Sequence, residues 1–167
     1  MAPVASRADF TDEQWARLER APILAGIAIS LSDPGGPIEA LKESSAALKA
    51  AIEAGGQEGF GPFVRSLAND LAAKAQRREN PLAGFAPDRQ NALDQILDEL
   101  RSVHRVLTDK GSPEDLADFQ EWIKSASQQA ALAAKEGGFL GIGATRVSER
   151  EQQMLEKLGG IFGVSGA

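Results

Sequence analysis

The chain has 167 residues and carries 24 acidic against 18 basic side chains, a formal net charge of −6. This length fits one domain with a hydrophobic core of its own, and the acidic balance argues against nucleic acid as a partner, because phosphates are neutralised by basic surfaces. The absence of cysteine excludes disulfides, thiolate catalysis and zinc–thiolate sites.

The first residues lack the basic and apolar regions of a secretory signal peptide. The longest apolar run, 21–29, is shorter than the ~20 residues that a membrane-spanning helix needs. We therefore expect a cytoplasmic protein with no transmembrane segment. A flexible N-terminal lead-in is predicted over residues 1–10, and a single helical domain is predicted over residues 11–167.

The first helix has a complete N-terminal signal. Thr11 is positioned as the N-cap, and Gln14, three residues later, completes a capping box. Phe10 and Trp15 flank this motif at the spacing of a hydrophobic staple, which sets the direction in which the chain enters the helix. The sequence therefore predicts that a helix begins directly after Thr11.

Pro22 lies inside this helical pattern, where it is expected either to kink the helix or to open a second one. The residues that follow, roughly 22–32, are apolar on every face. A helix of this kind belongs in the middle of a bundle. We therefore expect it to be the central helix of the fold.

Five further helices are predicted from apolar residues spaced three and four apart, each bounded by proline, serine or glycine. They are expected to begin at about Pro37, Pro62, Pro87, Ser112 and Ser148. No segment of useful length alternates with the period of two that a half-buried strand requires. The predicted fold is an all-α, single-domain bundle of about six helices.

The chain offers few side chains for catalysis. His104 is the single histidine, tyrosine is absent, and no serine lies in a nucleophile elbow. His104 lies on or beside the apolar stripe of the fourth helix, where we favour a packed or boundary histidine over a catalytic or metal-binding one. We therefore expect that the protein is not an enzyme.

Carboxylates are numerous, and divalent cations such as Ca²⁺ and Mg²⁺ bind through oxygen ligands. Asp33 and Glu39 lie at the start of the second helix and are the candidate metal ligands. No group of acids follows the spacing of an EF-hand loop, and acids at helix starts are also favoured by the helix dipole. The favoured interpretation is that no cofactor is bound, and a divalent cation at Asp33 and Glu39 is the alternative.

The stretch 137–143 combines glycines with three large apolar side chains, Phe139, Leu140 and Ile142. The favoured interpretation is a flexible connection whose apolar side chains cover the end of the core. The alternative is an exposed loop in which the same side chains contact a partner or a membrane surface. A phosphate-binding loop is excluded, because no Gly-Lys-Ser/Thr motif follows and no strand precedes.

Two patterns carry a resemblance to a known family. An apolar helix ending in an acidic loop before a new helix covers residues 27–43, and residues 147–151 lead into a last helix with Leu155, Leu158 and Phe162. Both patterns resemble the TerB-like family, all-helical domains associated with tellurite resistance and stress response. The resemblance implies a helical bundle, acidic metal contacts and a role in assemblies.

The few catalytic side chains and the regular apolar stripes together favour a non-enzymatic interaction or scaffold protein. It is expected to act through helix–helix contacts, by self-association or by docking a partner helix. One alternative is a helical bundle that binds a small molecule or a divalent metal through carboxylates. Another is peripheral membrane contact through the loop from Phe139 to Ile142.

Overall fold

The computed structural model describes residues 5–32, 47–88, 90–136 and 149–162. Within these ranges the chain forms helices and turns and no strand, so the predicted all-α bundle is confirmed. A short 3₁₀ turn precedes the first helix. The elements are η1 (Arg7–Asp9), α1 (Asp12–Ser32), α2 (described over residues 47–55), α3 (Pro62–Gln76), α4 (Ala92–Lys110), α5 (Pro113–Glu136) and α6 (Glu149–Ile161).

The start of α1 follows from its local sequence. The Thr11 N–H donates to Gln14 Oε1 at 3.0 Å, and the Gln14 N–H donates to Thr11 Oγ1 at 3.1 Å. The rings of Phe10 and Trp15 lie with their centroids 5.7 Å apart. The predicted capping box and hydrophobic staple are therefore confirmed.

α1 is the central helix of the bundle and packs against α3, α4, α5 and α6. It continues through Pro22 as one helix, so the alternative of a second helix opening there is wrong. Proline lacks the N–H that would bond one turn back, and its ring crowds the carbonyl there, but the apolar residues after it are held in the helix by packing on several sides. The buried side chains of this half are Ile23, Leu24, Ala25, Ala28 and Ile29.

A chain of aromatic rings runs through the core and joins four helices. Trp15 of α1 contacts Phe63 of α3, which contacts Phe119 of α5, and ring centroids along this path lie 6.0 and 6.4 Å apart. Phe119 also contacts Trp122 at 5.7 Å and Phe162, at the end of α6, at 5.9 Å. Aromatic pairs at such distances each add about 0.5–1.5 kcal/mol beyond their buried area.

Residues 5–10 fall within the predicted lead-in and contact the bundle. Ala5 is buried, and its N–H donates to Asp115 Oδ2 at 2.8 Å. Phe10 is also buried, and the Lys110 ammonium lies 5.7 Å from the centre of its ring. These contacts join the start of α1 to the corner between α4 and α5, whereas residues 1–4 lie outside the described residues.

The predicted helix starts agree with the structure at Pro62 and Ser112, but α4 begins at Ala92 and not at Pro87. The Asp88 N–H donates to Gln95 Oε1 at 2.7 Å, so a side chain near the start of the helix bonds back to the preceding loop. The predicted starts at Pro37 and Ser148 lie outside the described residues.

α2 approaches α3 and α5 closely at Gly55. A Cβ at this position would overlap with the Ala68 side chain and would lie 2.9 Å from Trp122 Nε1. The same Nε1 donates to the Ala51 carbonyl at 2.8 Å, so the buried indole has its hydrogen-bond partner. Glycine at residue 55 therefore allows three helices to meet around Trp122.

Candidate functional site

The five site residues predicted from the sequence all lie outside the described residues. They are Asp33 and Glu39 for a metal, and Phe139, Leu140 and Ile142 for a partner or a membrane. Both hypotheses therefore stay predictions. In the part of the chain that the structure describes, no three histidine or acidic side chains lie close enough together to hold a metal ion.

His104 occupies the boundary position that its place on the α4 stripe predicts. Its ring is half-buried and lies 5.9 Å from the ring of Phe162, at an interplanar angle of 83°. Thr108 Oγ1 lies 3.5 Å from Nε2, and Nδ1 is buried without a hydrogen-bond partner in the described part of the chain. Among the described residues no carboxylate bonds to this imidazole, so an acid–base pair is not assembled there.

Arg20 of α1 is a buried cation with a structural role. Its guanidinium donates to Glu99 Oε1 at 3.1 Å and to the Ala83 carbonyl at 3.0 Å. It also lies 5.7 Å from the centre of the Phe85 ring, within the range of a cation–π interaction. These contacts tie the loop between α3 and α4 to the central helix.

Glu19 forms a second buried ion pair, between α1 and α3. The carboxylate is 1% exposed, and Lys74 Nζ lies 2.5 Å from its Oε2. Burial raises the pKa of the Glu19 carboxyl, because the charged form loses its hydration, and Lys74 offsets this only in part. The Lys74 side chain is one-quarter exposed and keeps contact with water. This pair joins two helices.

An open groove lies between α5 and α6, with a volume of about 470 Å³. Its floor is apolar: Ile123, Leu158 and Phe162 are buried in it, and Leu155 is half-buried. The Ser127 hydroxyl also lines the groove and donates to the carbonyl of Ile123 at 2.6 Å, so its polarity is satisfied within α5. This volume lies within the ~300–1,000 Å³ of small-molecule sites.

Charged side chains stand on both walls of the groove. Glu121 and Lys124 belong to α5 and Glu156 belongs to α6, and all three are exposed. None of them forms an ion pair with another described residue. The remaining polar lining consists largely of glutamine amides, from Gln120, Gln128 and Gln152.

Comparisons of the chain with protein families, with curated proteins and with solved structures found no match. The resemblance to the TerB-like family therefore stays a prediction. Among the described helices, none combines the length and the apolar character that crossing a membrane requires.

Proposed function

We propose that this protein is a non-enzymatic interaction module that binds an amphipathic helix of a partner protein in the groove between α5 and α6. The observation that supports this most directly is an open groove with an apolar floor, between two walls whose charged side chains have no ion-pair partner among the described residues. Helix-in-groove recognition places apolar residues at i, i+3, i+4 and i+7 against such a floor.

The dimensions of the groove suit a short helix. The α5 wall runs from Gln120 to Gln128, which is about 12 Å at 1.5 Å per residue. The α6 wall runs from Gln152 to Phe162 and is of similar length. A partner helix of two to three turns would therefore fill the groove and present about three to four apolar side chains to Ile123, Leu155 and Leu158.

The charges on the rim indicate what the partner helix carries. Glu121 and Glu156 stand on opposite walls, so a Lys or Arg on each side of the apolar stripe would find a carboxylate. Lys124 would pair with an acidic side chain at one end of the partner helix. The net charge of −6 adds a long-range attraction for a basic partner, which raises the association rate more than the affinity.

A synthetic peptide tests this proposal. The probe is a fluorescent helix of about 14 residues, with Leu at i, i+3, i+4 and i+7 and Lys on both sides of this stripe. Its control has the same composition in an order that removes the stripe and keeps the charge. We expect saturable binding in fluorescence anisotropy for the first peptide only. Equal binding of both peptides would show that the interaction is a non-specific attraction between charges and would contradict the proposal.

A charge reversal on the rim of the groove tests whether the peptide binds there. Glu156→Lys should weaken binding of the cationic peptide by about two- to fivefold, the effect of losing one exposed ion pair. Glu58→Lys is the matched control, because Glu58 is also exposed but lies between α2 and α3, away from the groove. The same loss in both variants would place the peptide elsewhere. A second copy as the occupant would appear as a dimer that dissociates when the peptide is added.

A further inference from the structure

We infer that Gly159 determines which partner helix the groove accepts, by leaving a gap in the α6 wall that receives one large apolar side chain of the partner. Gly159 lines the groove and is half-buried, whereas the adjacent Gly160 is exposed and lies outside the lining. This role of Gly159 rests on the proposed function, because the gap is part of the same groove.

The two walls of the groove run in opposite directions. At one end the Phe162 ring of α6 contacts the Phe119 ring of α5, with centroids 5.9 Å apart. Gln128 lies nine residues after Phe119, and Gln152 lies ten residues before Phe162, yet both line the same groove. Only an antiparallel arrangement of α5 and α6 brings these two glutamines to a common end, about 14 Å from the aromatic contact.

This arrangement sets Gly159 opposite a large apolar side chain. Gly159 precedes Phe162 by about one turn, and Ile123 lies about one turn along α5 from the same aromatic contact, so the two residues face each other. Ile123, Leu158 and Phe162 are at most 3% exposed and form the floor, and the half-buried Leu155 lies one turn earlier on α6. Because glycine has no side chain, the α6 wall is lowest between Leu155 and Phe162.

The backbone of α6 does not require glycine at this point. Gly159 and Gly160 both lie within the helix, and neither has a positive φ. Glycine is the weakest helix former after proline, so two in succession lower the stability of α6. The room that Gly159 leaves in the groove offsets this cost, whereas a Cβ at Gly160 would meet nothing within 4 Å.

The surroundings of the gap define the partner side chain that enters it. A charged side chain would lose its hydration against Ile123 and Phe162, and alanine would leave the gap empty. Leucine or an aromatic residue fills the gap, and an aromatic ring also contacts the Phe162 ring. A few buried anchors of this kind carry most of the affinity in such interfaces. The partner helix therefore has one anchor position, seated over Gly159.

An alanine scan of the striped peptide locates the anchor. Each leucine of the stripe is replaced in turn, and the affinity for the wild-type chain is measured by fluorescence anisotropy. One replacement should weaken binding by about tenfold, since it empties the gap, and each of the others by about twofold. Equal losses at all positions of the stripe would overturn the inference.

Gly159→Leu fills the gap from the side of the protein. It should weaken binding of the striped peptide by about tenfold, whereas Gly160→Leu should stay within about twofold of the wild type. The two variants are matched, because each replaces a glycine of α6 with the same strong helix former. The same affinity in both variants would contradict a role of Gly159 in binding.

A double-mutant cycle tests whether the anchor and Gly159 meet. In Gly159→Leu the anchor leucine has no gap to enter, so its replacement by alanine should weaken binding by less than about twofold, against about tenfold for the wild-type chain. Losses that simply multiply would overturn the inference, because they would place the anchor away from Gly159.

A smaller substitution decides the case in which leucine disturbs α6. Hydrogen exchange of the α6 amides reports whether Gly159→Leu keeps the protection of the wild type. If protection falls, Gly159→Ala is compared with Gly160→Ala, and the first should bind the striped peptide about threefold more weakly than the second. No difference between the two alanine variants would overturn the inference.

The same peptide separates this inference from the proposed function. If the striped peptide does not bind the wild-type chain, the proposed function and the role of Gly159 are both overturned. If binding is weakened by Glu156→Lys but is the same in Gly159→Leu and Gly160→Leu, the groove is the binding site and the role of Gly159 alone is overturned. Weakening by Glu156→Lys and by Gly159→Leu, with Gly160→Leu close to the wild type, is the result expected.

Discussion

The space available for a side chain differs between two glycines, Gly55 and Gly160. A Cβ at Gly55 would overlap with Ala68 and crowd Trp122, whereas a Cβ at Gly160 would meet nothing within 4 Å. Neither backbone lies in the left-handed region that favours glycine. The first glycine is therefore needed for close packing of α2, and the second only weakens α6.

The two glycines make a matched pair for alanine substitution. Gly160→Ala should raise the free energy of unfolding by about 0.5–1 kcal/mol, the difference in helix propensity. Gly55→Ala should lower it by about 1–3 kcal/mol, because the core around Trp122 must shift. Urea denaturation of both variants measures this, and a stabilising Gly55→Ala would contradict the packing described here.

Because the Glu19 carboxyl is buried, the free energy of unfolding depends on pH. Burial raises its pKa in the folded state, so the native protein binds this proton more tightly than the unfolded chain does. The stabilisation from the protonated form is present at low pH and is lost as the pH rises from 4.5, the ordinary value, through the raised value.

Glu19→Gln isolates this contribution. The difference in unfolding free energy, wild type minus variant, should decrease as the pH rises through that window, because only the wild type then buries a charge. Lys74 keeps its access to water in the variant. Urea denaturation at a series of pH values between 4 and 8 gives the difference, and one that grows with pH would contradict the raised pKa.

Residues that bond within one turn were predictable, and residues that bond across the fold were not. Thr11 and Gln14 are three positions apart, so their motif is visible in the sequence. The Trp122 indole bonds a carbonyl 71 positions earlier in the chain. Nothing local to Trp122 indicates that partner.

The elements of the fold are set by caps and breakers, and α1 shows this most clearly. Its N-terminus is closed by Thr11 and Gln14, and Lys110 of α4 donates to the same Gln14 Oε1 at 2.8 Å. The Gln14 side chain therefore caps α1 and also holds α4 against the start of α1. By contrast, Pro87 suggested an early start of α4, because sequence alone does not show that Gln95 bonds back to Asp88.

The capping box of α1 predicts a specific effect of substitution. Thr11→Ala should lower the free energy of unfolding by about 1 kcal/mol, because the Gln14 N–H loses its acceptor. Thr11→Ser keeps the hydroxyl and should stay close to the wild type. Thr11 is exposed, so neither change leaves a cavity. Thermal unfolding followed by circular dichroism compares the three proteins, and equal loss in both variants would contradict the cap.

At the scale of the whole molecule, one apolar helix organises the bundle. The run of apolar residues after Pro22 was enough to predict that α1 is central, because such a helix can be covered only by neighbours on all sides. The groove was not predictable in the same way. Its floor residues, among them Ile123 and Leu158, belong to ordinary inner stripes, and the gap between them exists only because α5 and α6 pack at a particular separation.

The central claim is that this gap is the binding surface. Methyl NMR of the chain, titrated with the striped cationic peptide, tests it most directly. We predict that the methyl signals of Ile123, Leu155 and Leu158 shift progressively and saturate, while those of Val64 and Leu67, buried in α3, stay in place. Shifts confined to helices other than α5 and α6, or no shifts at saturating peptide, would contradict the account.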